Sequence, residues 1–388
     1  MDFVTDLHLH SKYSRAVSPN MIFPVMAAYA RQKGIEILST SDWTHPLWFR
    51  EIKTYLKEGA EGLFVLKNQP ENSKAMYFIL STEISCIFSQ GGKSHRMHNL
   101  IVSPSLETAE KINQELLKRG CNLSSDGRPI IGLTSKQLLQ LVLEVDERVM
   151  MIPCHIWTPW FSLFGANSGF DSIKECFEDL SDYIYGIETG LSSDPEMNWQ
   201  VKELHTRTIL SFSDAHSPAK MGREATVLRL QSPTFNNIRE AIMSQYLKSQ
   251  GKQVSNQILY TIEFYPEEGK YHYNGHRNCN VYQTPEETRA QGVLCPVCKR
   301  KVTVGVMQRV QDLATETIQP IIHTNTHGLR WIKDPRGQHP PFVKIVPMNE
   351  IIAESMKSTV ASMRVKNMFD TMCAKLGSEL DILLKLPI

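Results

Sequence analysis

Two histidines one residue apart, His8 and His10, close an apolar N-terminal stretch in the run Asp6-Leu7-His8-Leu9-His10-Ser11. On an extended chain residues i and i+2 point to the same side, so both imidazoles could reach one metal ion. The setting recurs further along. Asp42 and His45 follow Ile35-Glu36-Ile37-Leu38, Glu83 follows Tyr77-Phe78-Ile79-Leu80, and His98 opens Leu100-Ile101-Val102. His155 follows Val149-Met150-Met151-Ile152, and Asp214 and His216 follow Thr208-Ile209-Leu210. A lone His or Asp beside a strand end is ordinarily a satisfied loop polar group. Two compact motifs, His8-Leu9-His10 and Asp214-Ala215-His216, at opposite ends of one array weigh against chance.

A second constellation is His276-Arg277-Asn278-Cys279, followed after 15 residues by Cys295-Pro296-Val297-Cys298. Two short-spaced ligand pairs separated by a dozen or more residues match a tetrahedral structural zinc site, with thiolates as soft donors. The fourth ligand is open between His276 and His272. From Tyr265 to Lys344 the chain carries 11 Lys and Arg against 7 Asp and Glu, whereas the whole chain is only +1. Phosphate contacts are therefore expected to concentrate there, on Lys299, Arg300, Lys301 and Arg309, although such an excess can equally be a solvated face.

The elements that must position these residues read as βα units over residues 1–250. Helical apolar spacing marks 107–117 and 135–142, with Gly120 and Gly132 as stops. Strands alternating with helices build a parallel sheet or barrel whose chemistry lies at the strands' C-terminal ends, where the scattered ligands could converge. Residues 122–132 read as a polar surface loop with an Asp126-Gly127 turn. The polar stretch 248–256 reads as a boundary, followed by a finger module over 265–312 and a region over 313–388 with helical spacing at 349–357 and 362–376.

Trp157 and Trp160 fall in an aromatic loop directly after His155. Such rings are usually core, but a strand-end loop could also stack on an extruded base; Trp43 and Trp199 are weaker candidates. A chain of 388 residues, 41% hydrophobic, can build two or three domains. Its mean hydropathy of −0.26 and the lack of a long apolar run argue against a membrane span. No basic-then-apolar leader is visible. Eight cysteines in a chain with no export signal point to reduced thiols and metal ligation.

The segments DLHLHSKYS, TSDWTHP, IPCHIWTPWFSLFG, ETGLSSDPEMNW and SFSDAHSPAKMGREA resemble the polymerase-and-histidinol-phosphatase (PHP) phosphoesterases and, more closely, the endonuclease Q family, over essentially the whole length. The resemblance implies an α/β fold: a distorted βα barrel of the PHP type, a small zinc-finger module and a helical C-terminal tail. It implies metal-assisted phosphodiester hydrolysis by two or three divalent ions, Zn, Mn or Mg, besides one structural Zn. His8, His10, Glu83 and Asp214 would hold one ion; Glu83, His98 and His155 its neighbour. His216 would complete the metal sphere or protonate the leaving oxygen.

The implied substrate is DNA with uracil, hypoxanthine, xanthine or an abasic site, nicked on the 5′ side. Damaged DNA and a sliding clamp or other repair factors are the implied partners, and the location cytoplasmic, at the nucleoid. Trp43 and Arg15 stand where many PHP proteins have histidine, so a third metal site is either missing or completed by Asp42 and His45. Competing readings are a small-molecule phosphatase, which would need no finger, and an inactive DNA-binding accessory module, which would have lost ligands.

Overall fold

The computed structural model describes residues 1–68 and 76–387; residue 388, the end of the expected tail, lies outside them. The apolar runs form strands β1 (Asp2–Asp6), β2 (Ile37–Ser39), β3 (Leu56–Ala60), β4 (Leu63–Leu66), β5 (Tyr77–Gln90), β6 (Lys93–Ser103), β7 (Ile130–Ile131), β8 (Met150–Pro153), β9 (Gly186–Glu188), β10 (Thr208–Leu210), β11 (Ala225–Arg229) and β12 (Gln257–Glu263). Beyond these come β13 (Asn274–His276), β14 (Val281–Gln283), β15 (Ile321–Thr324), β16 (Arg330–Lys333) and β17 (Phe342–Lys344).

Thirteen strands share one mixed sheet. Central β1 runs parallel to β2 and antiparallel to β11, with Thr5 opposite Ile37 and Thr226. β2 runs parallel to β5. β5 turns into β6 through Gly91-Gly92 with Gln90 opposite Lys93; both glycines have positive φ, +58° and +77°, which a two-residue hairpin of the primed type requires. β6 then pairs with β8. β9 and β10 form a separate parallel pair. The hydrogen bond Ile156 N–H to Glu188 O, at 3.0 Å, and the isolated bridge between Leu9 and Ala215 join that pair to the larger sheet. Among the described residues no continuous ladder closes a barrel, so the expected distorted βα barrel holds only in its coarser part, a mixed α/β fold.

The two helices expected from apolar spacing form at Leu106–Lys118 and Ser135–Val145. Ser105 caps the first through the Thr108 N–H, and Thr134 with Gln137 forms a capping box on the second. Ile112, Leu116, Leu138 and Val142 are buried in one large apolar cluster with Trp43, Trp48, Trp157 and Trp199.

Two organisational expectations are corrected. The chain does not leave the first domain near residue 250, because β12 pairs with β11 and, in parallel, with β17. Nor is 313–388 purely helical: β15, β16 and β17 extend the main sheet before helices Met348–Ser355, Met363–Leu376 and Glu379–Lys385. Short apolar pairs such as Trp331-Ile332 and Phe342-Val343 give too little periodicity to read as strands alone. The sheet edge supplies the missing hydrogen-bond partners.

The last helix is held by a buried ion pair. Lys33 Nζ meets Glu379 Oε2 at 2.6 Å with both side chains under 5% exposed, and Glu379 Oε1 accepts the Met348 N–H at 2.7 Å. Truncating one partner leaves the other charge uncompensated in the interior. Lys33→Ala should lower unfolding free energy by about 3–5 kcal/mol in denaturant titration. A loss within ±0.5 kcal/mol, the range typical of surface substitutions, would show the pair to be inconsequential.

Candidate metal centre

Strand register brings the two compact motifs side by side. Leu9 bridges Ala215 in parallel, and the His10 N–H donates to Ala215 O at 3.2 Å. Leu9 and Ala215 turn into the apolar core. Their neighbours His8, His10, Asp214 and His216 therefore share the opposite face. Ladder pairing of Glu83 with Leu100 and Ser85 with His98 puts Glu83 and His98 diagonally on one face of the β5–β6 hairpin. His155 follows the end of β8, and its N–H donates to Glu188 Oε2 at 2.8 Å.

The side chains converge on Glu83, which is fully buried. Its Oε1 lies 2.6 Å from His98 Nδ1, 3.3 Å from His155 Nε2 and 3.7 Å from His8 Nε2; its Oε2 lies 3.3 Å from His10 Nε2 and 2.9 Å from Arg128. Asp214 Oδ1 is 3.1 Å from His10 Nε2 and 3.8 Å from His8 Nε2. His8 Nε2, His10 Nε2 and Asp214 Oδ1 are buried yet lack hydrogen-bond partners. Donors crowded to these separations without hydrogen-bond geometry suit ligands around an ion, since tetrahedral donors at about 2.1 Å from a metal stand about 3.4 Å apart. The residues thus fit the metal that the sequence implies. Four overlapping triples are geometrically suited: His8, His10 and Glu83; Glu83, His98 and His155; His10, Asp214 and His216; and, behind the first, His8, Cys154 and Glu188.

Electrostatics follow from burial against these neighbours. Burial alone would raise the Glu83 carboxyl, but His98, Arg128 and the other imidazoles hold it well below the carboxylate range. Burial pushes His98 down to about 4 against the pull of Glu83. Burial alone would lower His8 as well, yet the Glu188 carboxylate raises that imidazole well above its usual value; Asp214, Asp42 and Glu83 likewise outweigh burial at His10.

Residues behind the cluster set ring orientation. His8 Nδ1 meets both Glu188 oxygens at 2.9 and 3.0 Å. Asp42, buried, meets His10 Nδ1 at 3.3 Å while accepting from Ser11 N–H and Ser14 Oγ, so it supports His10 from behind. Asp6 accepts from Ser213 N–H, Ser213 Oγ and Gly222 N–H, pinning the loop that carries Asp214 and His216. Such outer partners fix the tautomer and the aim of a ligating ring. Sequence reading missed Glu188, although it ends a strand as the other candidates do; its apolar run is too short to register. His45 is corrected out of the cluster: its ring stacks on Tyr13, centroids 4.5 Å apart.

A cleft of about 1020 Å³ opens over the cluster, walled by Arg96, Trp160, Phe161, Lys220, Arg223 and Tyr271 among others. Trp160, 36% exposed, meets Tyr271 edge-on at 5.9 Å. Trp157 is corrected to core: it is 1% exposed, and its indole N–H donates to Asn198 Oδ1 at 2.8 Å. Trp43 and Trp199 are likewise buried, since large rings contribute most where they are fully covered.

In the finger region the donor atoms of His276, Cys279, Cys295 and Cys298 all lie within 4.8 Å of one another. His272 is not the alternative ligand, because it is buried elsewhere with Nδ1 on Ser192 O at 3.0 Å. Lys299, Arg300 and Lys301 are exposed beside this group. Arg309 is corrected from DNA contact to fastening: it donates to Phe164 O and Phe170 O and pairs with Asp171, tying helix Val306–Leu313 to the loop after β8.

Asp214→Asn should remove metal uptake at the Glu83 cluster while preserving the fold, checked by metal analysis and circular dichroism. Undiminished uptake would contradict the assignment. Because His8 and His10 retain protons above the ordinary imidazole value of about 6.5, and a ligating nitrogen must be free of its proton, metal affinity of stripped protein should climb as pH rises above that value. A flat titration would count against both rings as ligands. Cys295→Ser should cost about one zinc per chain, one tetrahedral site being lost. Unchanged stoichiometry would rule out a zinc held by His276 and its three cysteine neighbours.

No family model matches the chain. It is 27% identical over 239 residues to an uncharacterized protein of Methanocaldococcus jannaschii, a match covering 60% of this chain but only 26% of that protein. It is 28% identical over 300 residues to the uncharacterized protein YqxK of Bacillus subtilis, covering 75% of this chain and 70% of the other. Among solved structures, the lesion-specific endonuclease PfuEndoQ of Pyrococcus furiosus matches all of this chain and 86% of its own, at 29% identity and a TM-score of 0.81. Endonuclease Q in complex with a 27-mer duplex bearing an abasic lesion at the active site matches all of this chain and 87% of its own, at 30% identity and a TM-score of 0.82. With fold and sequence shared over its whole length, the chain belongs to the endonuclease Q family.

Proposed function

We propose that this protein is a metal-dependent DNA-repair endonuclease that hydrolyses the phosphodiester 5′ to a deaminated base or an abasic site. The observation that carries the reading is the gathering of candidate ligands around Glu83 on the floor of a cleft whose walls are cationic and aromatic. The solved relative bound to an abasic-lesion duplex supports DNA as the substrate. Two or three divalent ions held by His8, His10, Glu83, His98, His155, Asp214 and His216 would make a water more acidic and offset charge on the phosphate.

The chain's own residues supply the rest. Glu188 and Asp42 fix the two imidazoles of the first motif. Arg96, Lys220, Arg223 and Lys270 line the cleft where a polyanionic strand must pass. His216 Nδ1 donates to Asp214 O at 2.9 Å, so Nε2 is the nitrogen left to complete the coordination of an ion beside His10 and Asp214. Trp160 and Tyr271 offer the ring surface on which an extruded base could stack. The His276, Cys279, Cys295 and Cys298 group would hold a structural zinc that presents Lys299, Arg300 and Lys301 to the backbone.

Labelled duplexes with one deoxyuridine, one deoxyinosine or one abasic site should be nicked immediately 5′ to the lesion, and matched duplex should stay intact. Indiscriminate cutting, or cleavage only of a phosphate monoester, would overturn the reading. Trp160→Ala should reduce cleavage at base lesions about tenfold more than at an abasic site, since stacking contributes about 1–3 kcal/mol per base. Equal losses would remove Trp160 from base recognition.

A further inference from the structure

Arg128 is the one Arg or Lys among the described residues ion-paired to a member of the Glu83 cluster, and nothing in the sequence pattern marks it. Its loop, expected to lie free on the surface, is instead clamped over the site. The Gly127 N–H donates to Tyr13 O at 3.0 Å, Asp126 Oδ1 accepts the Arg128 N–H at 3.1 Å, and the Ser85 N–H donates to Pro129 O at 3.0 Å. β7, directly after, pairs with β5 beside Ser85. Gly127 itself passes so close that a Cβ there would stand 2.3 Å from both Asp42 Oδ2 and Ser14 Oγ. The backbone is thus fixed on both sides of Arg128. Its Nη1 donates to Glu83 Oε2 at 2.9 Å, while the side chain remains 27% exposed and forms part of the cleft wall.

A guanidinium has five N–H donors in one plane, and Glu83 uses one edge of it. Glu83 Oε2 takes up one donor of the guanidinium, so a fixed Arg with its remaining donors on the cleft wall suits a second anion. We propose that Arg128 is a catalytic residue: its free edge binds a non-bridging oxygen of the scissile phosphate while its other edge stays on Glu83, coupling phosphate position to the metal-ligand cluster. A planar fork meets carboxylate and phosphate together, which a lysine ammonium cannot do in fixed geometry. The contact gains strength as negative charge builds on the phosphoryl oxygens in the transition state.

The inference rests on the endonuclease reading, and the test separates the two. Metal-stripped protein is titrated by fluorescence anisotropy with a duplex carrying an abasic-site analogue whose scissile phosphate is either natural or an uncharged methylphosphonate. Wild type should bind the methylphosphonate duplex about tenfold more weakly, a charge-assisted hydrogen bond being lost. Arg128→Gln should bind the natural duplex about tenfold more weakly than wild type and lose nothing further on methylphosphonate substitution. Arg128→Lys, the conservative variant should Arg128→Gln melt early, should retain only part of the wild-type penalty. In the metal-loaded enzyme Arg128→Gln should lower kcat on the order of 10²–10³-fold. A full methylphosphonate penalty in either variant overturns the contact and leaves Arg128 as a positioning residue for Glu83. Wild type that neither prefers the lesion duplex nor nicks it overturns the endonuclease reading itself.

Discussion

A carboxylate with no exposure to water, Glu83, must be compensated within the protein, and much of the molecule is arranged around that requirement. Four imidazoles and one guanidinium surround it, and unpartnered nitrogens and a carboxylate oxygen beside it invite a cation. Without such compensation a buried ion costs several kcal/mol. The surrounding elements are consequently held to tight tolerances. The Gly91-Gly92 hairpin sets the register that puts Glu83 beside His98, and a slip of one residue would leave the two on opposite faces of the hairpin.

The backbone near the cluster carries strain in the same places. Asp42, His155 and Asp214 have φ of +39°, +31° and +45°, a region that non-glycine residues adopt at about 1–3 kcal/mol each. All three lie just past a strand end, where a sharp turn lets His155 and Asp214 face the cleft and places Asp42 behind His10. The hydrogen bonds that hold these turns come from other segments: Ser11 to Asp42, Glu188 to the His155 N–H, Asp6 to Ser213 beside Asp214. Local strain is thus balanced by long-range contacts. The site is a product of the assembled sheet and belongs to no single segment.

The finger region and the tail attach to this frame through polar fasteners. Arg309 binds two backbone carbonyls of the loop after β8, and Lys33 pairs with Glu379. Through Gly269, Lys270 and Tyr271 the segment before β13 walls one side of the cleft, and Glu350 of the tail reaches the same rim. Residues more than 250 apart in sequence therefore shape one opening.

By itself the sequence named the candidate ligands that the structure gathers, because His8-Leu9-His10, Asp214-Ala215-His216 and the His276 to Cys298 spacing encode geometry within a few residues. It also determined the helices at Leu106–Lys118 and Ser135–Val145, whose apolar periodicity and caps are local properties. Only the tertiary structure decided which polar residues stand in front of the cluster and which behind. Asp42, Glu188 and Asp6 carry the same chemistry as Asp214, and their roles differ by where long-range pairing leaves their oxygens. The same holds for Trp157 against Trp160, neighbours in one loop that differ in burial, and for Arg128, aimed by a loop that looks unremarkable until Gly127 is seen against Asp42. Strand-edge pairing likewise decided that 321–344 joins the sheet, since an edge's unpaired backbone groups are invisible to any local pattern.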